Sequence, residues 1–76
     1  MFIITERKIV NMDNVVEVGE WRHRDGKFEV SAFYACNDNE DSYSTISICD
    51  TEDEALAIIG KISQALTAEQ HILRLN

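Results

Sequence analysis

The residues with the widest chemical reach in this 76-residue chain are Cys36, Cys49, His23 and His71. A thiolate beside an imidazole can act as nucleophile and base, and four such side chains can hold zinc. Neither chemistry has the spacing it needs. There is no C-x-x-C or H-x-x-x-H pair, no third residue to orient a base and no oxyanion donor. The cysteines read instead as small buried apolar residues. A Cys36–Cys49 disulfide is not expected, because the strand pairing proposed below places them at opposite ends of a hairpin, beyond the ~4.4–6.8 Å Cα separation it requires. His23 is expected at a strand edge against Phe28, and His71 on the surface. With no Gly-rich phosphate loop either, no enzymatic activity and no cofactor are expected.

Two further clusters invite a ligand. Asp38-Asn39-Glu40-Asp41-Ser42 gathers hard oxygen donors, but lacks the glycine and the distal bidentate glutamate of a twelve-residue calcium loop. It reads as a solvated acidic turn, and no metal is expected. Trp21-Arg22-His23-Arg24-Asp25-Gly26-Lys27 joins an aromatic ring to three bases at a hairpin tip, where it could grip an anion. The net charge of -7 opposes the phosphate electrostatics that supply nucleic-acid affinity, so direct nucleic-acid contact is not expected.

Strands precede a helix along the chain. Phe2 to Thr5 and Lys8 to Asn11 are short apolar runs, either two strands or one bent strand. Met12-Asp13-Asn14 is turn chemistry, and Val15 to His23 has strand composition. Asp25-Gly26 predicts a tight two-residue turn. Centred there, the pairing sets His23 against Phe28, Arg22 against Glu29 and Trp21 against Val30. Trp21, His23, Phe28 and Val30 then form a core face, with an Arg22–Glu29 ion pair on the other side. Farther from the tip, Val18 with Phe33 and Val16 with Ala35 fall on the polar side. Either a bulge at Gly19 shifts the register, or both faces are covered there, the second by another copy of the chain, and a homodimer or higher oligomer is the expectation drawn from that conflict.

Phe28 to Cys36 and Tyr43 to Cys49 complete an antiparallel meander of four to five strands. Thr51-Glu52-Asp53-Glu54 fits a capping box opening a helix over about residues 52 to 66, whose stripe Ala55, Leu56, Ile59, Ile62 and Leu66 packs on the sheet. Thr67-Ala68-Glu69-Gln70 repeats the start signal, so residues 68 to 75 read as a second short helix or a continuation. The fold class is α+β in one small domain, residues 1–76. A chain of this size buries only roughly 60% of its unfolded surface, so the core is thin. No apolar run approaches the length of about 18 residues needed to span a membrane, and Met1-Phe2-Ile3-Ile4-Thr5-Glu6 has no basic leader. A cytoplasmic chain without membrane contact is expected.

Charge is unevenly placed. From Phe28 to Gly60 there are eight acids and no lysine or arginine. The meander sends Asp50, Glu52, Asp53 and Glu54 towards Arg22, Arg24 and Lys27, where charges cancel. It gathers Asp13, Asp38, Glu40 and Asp41 at the opposite end, where no base is predicted. That rim, with Tyr43 as an aromatic anchor, is the expected contact for a basic protein surface. The alternative is an oligomeric module that holds an anionic small molecule such as a nucleotide around Trp21, Arg22, His23 and Arg24.

Lys8-Ile9-Val10-Asn11-Met12-Asp13-Asn14-Val15, followed by strands and then Asp50-Thr51-Glu52-Asp53-Glu54-Ala55 opening a terminal helix, resembles small proteins of Gram-positive bacteria and their phages that read IVN-x-DNV, a short meander and a terminal helix. The likeness rests on a turn and a helix cap and transfers no catalytic motif. It implies a phage-type accessory role by protein binding, such as blocking the nucleic-acid-binding surface of a host or defence protein, a CRISPR-type effector included.

Overall fold

The computed structural model describes residues 1–35 and 42–75. In chain order the elements are β1 (Phe2–Ile4), β2 (Ile9–Asn11), β3 (Val15–Arg22), β4 (Phe28–Tyr34), β5 (Tyr43–Cys49), α1 (Glu52–Thr67) and β6 (Ile72–Arg74). The architecture is α+β, with the strands divided between two sheets. One is the antiparallel meander β3-β4-β5; the other has the order β2-β1-β6, with β1 antiparallel to β2 and parallel to β6. Ile3 and Val10 from the small sheet, Val30, Ala32 and Ile46 from the meander, and Ala55 and Ile62 from α1 form one buried cluster. Cys49 is a buried free thiol within it.

The two short N-terminal runs are separate strands. The Thr5 hydroxyl makes their turn by accepting from the Arg7 and Lys8 amides, each at 3.2 Å.

The β3–β4 register differs by one residue from the sequence expectation. Trp21 pairs with Glu29 and Arg22 with Phe28. The loop holds three residues, Arg24 to Gly26, because the Gly26 amide donates to the His23 carbonyl at 3.1 Å while Gly26 itself takes a φ of +87°. That is a type I turn followed by a left-handed glycine, the usual three-residue hairpin, in place of a two-residue turn. A one-residue slip moves every side chain of one strand to the other face. Val30 and Phe28 therefore stay inside with Val18 opposite Ala32, while Trp21 and His23 turn outward with Glu29. The expected Arg22–Glu29 pair is replaced: the Arg22 guanidinium lies 5.9 Å over the Phe28 ring.

In this register Val18 packs against the cluster, while Val16 stays 70% exposed and Phe33 lies on the outer face. Gly19 sits in regular pairing, and the irregularity falls at Val16, between Val15 and Glu17. A second bulge lies at Ile46, because Val30 pairs with Ser47 and Ser31 with Thr45. The extra residue lets Thr45 and Ile48 face outward while Ile46 and Cys49 both reach the core.

α1 starts as its cap predicts. Thr51 is extended, its hydroxyl oxygen accepts from the Glu54 amide at 3.2 Å, and the same hydroxyl donates to the Glu54 carboxylate at 3.0 Å. The buried stripe is rotated from the expected one: Ala55, Ile62 and Ala65 are buried, whereas Leu56 and Leu66 are about half exposed. Beyond Thr67 there is no second helix. The Gln70 amide donates to the Ala65 carbonyl and the Glu69 amide to the Leu66 carbonyl, the paired bonds of a Schellman stop. Glu69 occupies its left-handed position at φ 56°, and the chain leaves as β6 beside β1. His71 is exposed just before that strand.

A side chain at a left-handed position costs roughly 1–2 kcal/mol, part of which glycine regains at the expense of its own unfolded-state freedom. Glu69→Gly is expected to stabilise the protein by about 0.5–1 kcal/mol, seen as a higher urea midpoint at unchanged slope.

Candidate functional site

The shifted register builds an unusual outer face on the meander. Alternation places Glu17, Gly19 and Trp21 of β3, Glu29, Ser31 and Phe33 of β4, and Tyr43, Thr45 and Ile48 of β5 on the side away from α1. On that solvent side Glu29 is nevertheless only 3% exposed and Ser31 fully buried. Their cover is local: the Trp21 and His23 rings lie 4.3 Å apart at the tip end, and both reach over the buried pair.

A buried carboxylate is stable only when its oxygens are paired. Glu29 accepts from the Ser31 hydroxyl at 2.5 Å, from the Thr45 hydroxyl at 2.8 Å, and meets His23 Nε2 at 2.8 Å. The Trp21 indole N–H donates in turn to the Ser31 hydroxyl oxygen at 3.3 Å. Burial pushes the Glu29 pKa up, but the bonds from Ser31, Thr45 and His23, with the His23 charge, outweigh it and hold the group below the ordinary carboxylate range. Trp21 and His23 are thereby fixed by their polar atoms.

Beside this network an open groove is lined by Glu17, Gly19, Glu20, Trp21, Phe33 and Tyr43. The Phe33 and Tyr43 rings pair across the strands at 5.8 Å, and Trp21 and Tyr43 are 42% and 49% exposed. A Cβ at Gly19 would meet nothing within 4 Å, so its absence leaves the groove floor open. One carboxylate oxygen of Glu20 is buried without a hydrogen-bond partner. Aromatic faces and carboxylates both attract a cation, and no lysine or arginine lines this groove.

Of the residues expected at the acidic rim, Asp13 is exposed and 3.4 Å from the Met1 amino nitrogen, so it has a cationic neighbour after all. The Ala35 amide donates to the Asn14 carbonyl and the Tyr34 amide to the Ser42 carbonyl, which sets Asp13, Tyr43 and Phe33 at the same end of the meander. Asp38, Glu40 and Asp41, and with them most of the acidic run read as a solvated turn and Cys36, lie outside the described residues. At the other end Lys27 Nζ meets the Asp50 carboxylate at 2.5 Å, the charge cancellation expected between tip and helix start.

The four residues of the anion reading, Trp21, Arg22, His23 and Arg24, border one open depression together with Asp25. Their polar groups diverge: His23 Nε2 faces Glu29 and Arg22 lies over Phe28. Glu29, Glu17 and Phe33 escaped the sequence reading because the assumed register placed Glu29 opposite Arg22. The surviving signal was a lone acid in the apolar run Phe28 to Tyr34, with Ser31 two residues on. No family model, curated protein or solved structure matches the chain.

Because Glu29 has a lower pKa folded than unfolded, it stabilises the fold above the carboxylate range, and that contribution is lost as pH falls through its folded value. Glu29→Gln is expected to lose roughly 1–3 kcal/mol at pH 7. The gap to the parent protein should narrow as urea titrations move towards pH 3.

Proposed function

We propose that the chain works by binding a protein partner through a cationic surface of that partner, with the Trp21–Phe33–Tyr43 groove as the contact. The observation that carries this reading is an exposed aromatic groove bordered by Glu17 and Glu20 and by no base. A lysine or arginine side chain laid over aromatic faces gains up to about 2 kcal/mol when desolvated, and a flanking carboxylate adds to that gain. The net charge of -7 favours encounter with a basic partner from a distance. Asp38, Glu40 and Asp41 belong to the connection between β4 and β5, which leaves and rejoins the meander beside Phe33 and Tyr43. In this reading they extend the acidic contact, with Asp13 at its margin.

The resemblance to small phage-type proteins directs the proposal to an accessory role: occupying the basic surface that a host or defence protein uses for nucleic acid, carboxylates taking the place of phosphates. Catalysis has no part in it. The divergence of Arg22 and His23 weighs against the anion-holding alternative.

Trp21 is the single tryptophan, so its fluorescence reports directly on the groove. Acetyl-tetra-arginine amide is expected to change it with a salt-sensitive affinity, and acetyl-tetra-glutamate amide to leave it unchanged. Tyr43→Ala and Glu17→Lys should each weaken the arginine peptide by about fivefold, near 1 kcal/mol. Asp38→Asn, Glu40→Asn and Asp41→Asn together should flatten the salt dependence. Equal responses to both peptides, or variants that bind like the parent, would overturn the reading.

A further inference from the structure

We propose that the β3 edge receives an extended segment of the partner as an added strand, its alternate side chains cationic on the outer side and apolar on the helix side. This rests on the cationic-partner reading and gives it a binding mode.

The backbone comes first. β3 has eight residues and forms one edge of the meander, and among the described residues it pairs with β4 alone. The His23 amide donates to the Lys27 carbonyl at 2.7 Å, which marks a bonded pair at the tip. Antiparallel bonding alternates, so Trp21, Gly19 and Glu17 direct their amides and carbonyls to β4. Arg22, Glu20 and Val18 direct theirs outward. The Tyr34 amide donating to Ser42, on the other side of β4, obeys the same alternation.

Edges of this kind are usually protected by a bulge, a proline or a lysine. β5, the opposite edge, is broken in mid-strand by its bulge at Ile46. β3 has no such break from Glu17 to Arg22, and contains neither proline nor lysine.

Both sides of this edge are open. On the outer side lies the aromatic groove above Gly19. On the helix side a second groove runs between β3 and α1, lined by Met12, Val16, Ile59 and Leu66, with Val16 70% and Leu66 52% exposed. An added strand sends successive side chains to opposite faces, so one segment would fill both grooves at once. Charge selects its chemistry. Glu17 and Glu20 flank the edge, Glu20 has a carboxylate oxygen with no donor, and neither groove is lined by a base. A second copy of the chain would bring another net charge of -7 and the same acids to that edge. A strand alternating arginine or lysine with valine or isoleucine brings the complement.

The test uses acetyl-Arg-Val-Arg-Val-Arg-amide and the blocked peptide acetyl-Arg-Arg-Arg-Val-Val-amide, equal in composition and charge, read by Trp21 fluorescence and by amide exchange. The alternating peptide is expected to bind about tenfold tighter. It should slow exchange at Val18, Glu20 and Arg22 without changing Glu17, Gly19 or Trp21. N-methylation of one alternate set of peptide amides should abolish binding, and methylation of the other set should leave it intact. Gly19→Ala puts a methyl group on the floor of the outer groove, where nothing lies within 4 Å, and should weaken the alternating peptide. If both peptides bind equally and both methylation patterns are tolerated, strand addition is wrong while the cationic reading stands. If neither peptide perturbs Trp21, both fail. Protection of Val18, Glu20 and Arg22 without peptide, in a chain that sediments as a dimer, assigns the edge to a second copy and overturns the proposal.

Discussion

The three-residue loop closed at Gly26 decides what every side chain in the β3–β4 hairpin does. A strand offers only two faces, so the parity of the pairing is a binary choice with large consequences. With Gly26 at a φ of +87° and its amide bonded to His23, Trp21 stands opposite Glu29. The inner face then carries Val18, Val30 and Ala32, and the outer face holds a tryptophan above a carboxylate. The two bulges keep this choice consistent along the rest of the meander. The one at Ile46 lets β5 contribute Thr45 to Glu29 and Ile46 to the core, which unbroken alternation together with Ile48 and Cys49 would forbid.

The carboxylate is the costly part of that arrangement. An apolar residue of similar volume would avoid the desolvation penalty of a buried acid. What Glu29 contributes in return is position. Its bonds to Ser31, Thr45 and His23 join two strands and the hairpin tip, and Ser31 passes the constraint to the Trp21 indole. A tryptophan held at its N–H presents its ring in one orientation, so less freedom is lost when something docks against it. Polar pairing beneath and aromatic surface above are one device.

The sequence was legible where the chemistry is local. The Thr51 cap, the order of strands before helix and the meeting of the tip with the helix start follow from short segments, and the Lys27–Asp50 pair realises the last of these. Asp25-Gly26 located the hairpin correctly but not its loop length, because the same dipeptide serves a two-residue turn or the end of a three-residue one. The conflict around Val16 and Val18 was a sign of wrong parity, and the three-residue loop brings Val18 inside while Val16 stays exposed. The last strand was hidden for another reason. Glu69 in a left-handed position carries none of the glycine signal that marks a helix stop, so Thr67 to Gln70 resembled a new start. Leu56 and Leu66 fit the helical stripe by spacing, yet α1 rolls onto Ala55, Ile62 and Ala65, whose small or compact side chains let it approach the sheets closely.

Uncancelled charge gives the acidic composition its meaning. Among the described residues the ion pairs are Met1 with Asp13, His23 with Glu29 and Lys27 with Asp50, and each lies away from the middle of β3. Glu17 and Glu20 are therefore left without an ion-pair partner beside the edge strand β3. An exposed edge next to apolar grooves is ordinarily an aggregation hazard. On the proposed binding mode, like charge opposes pairing of this edge with a second copy, and the same charge favours a segment of opposite sign. On the proposed reading, the acids that leave the molecule at a net -7 act as a filter on what the open edge can accept.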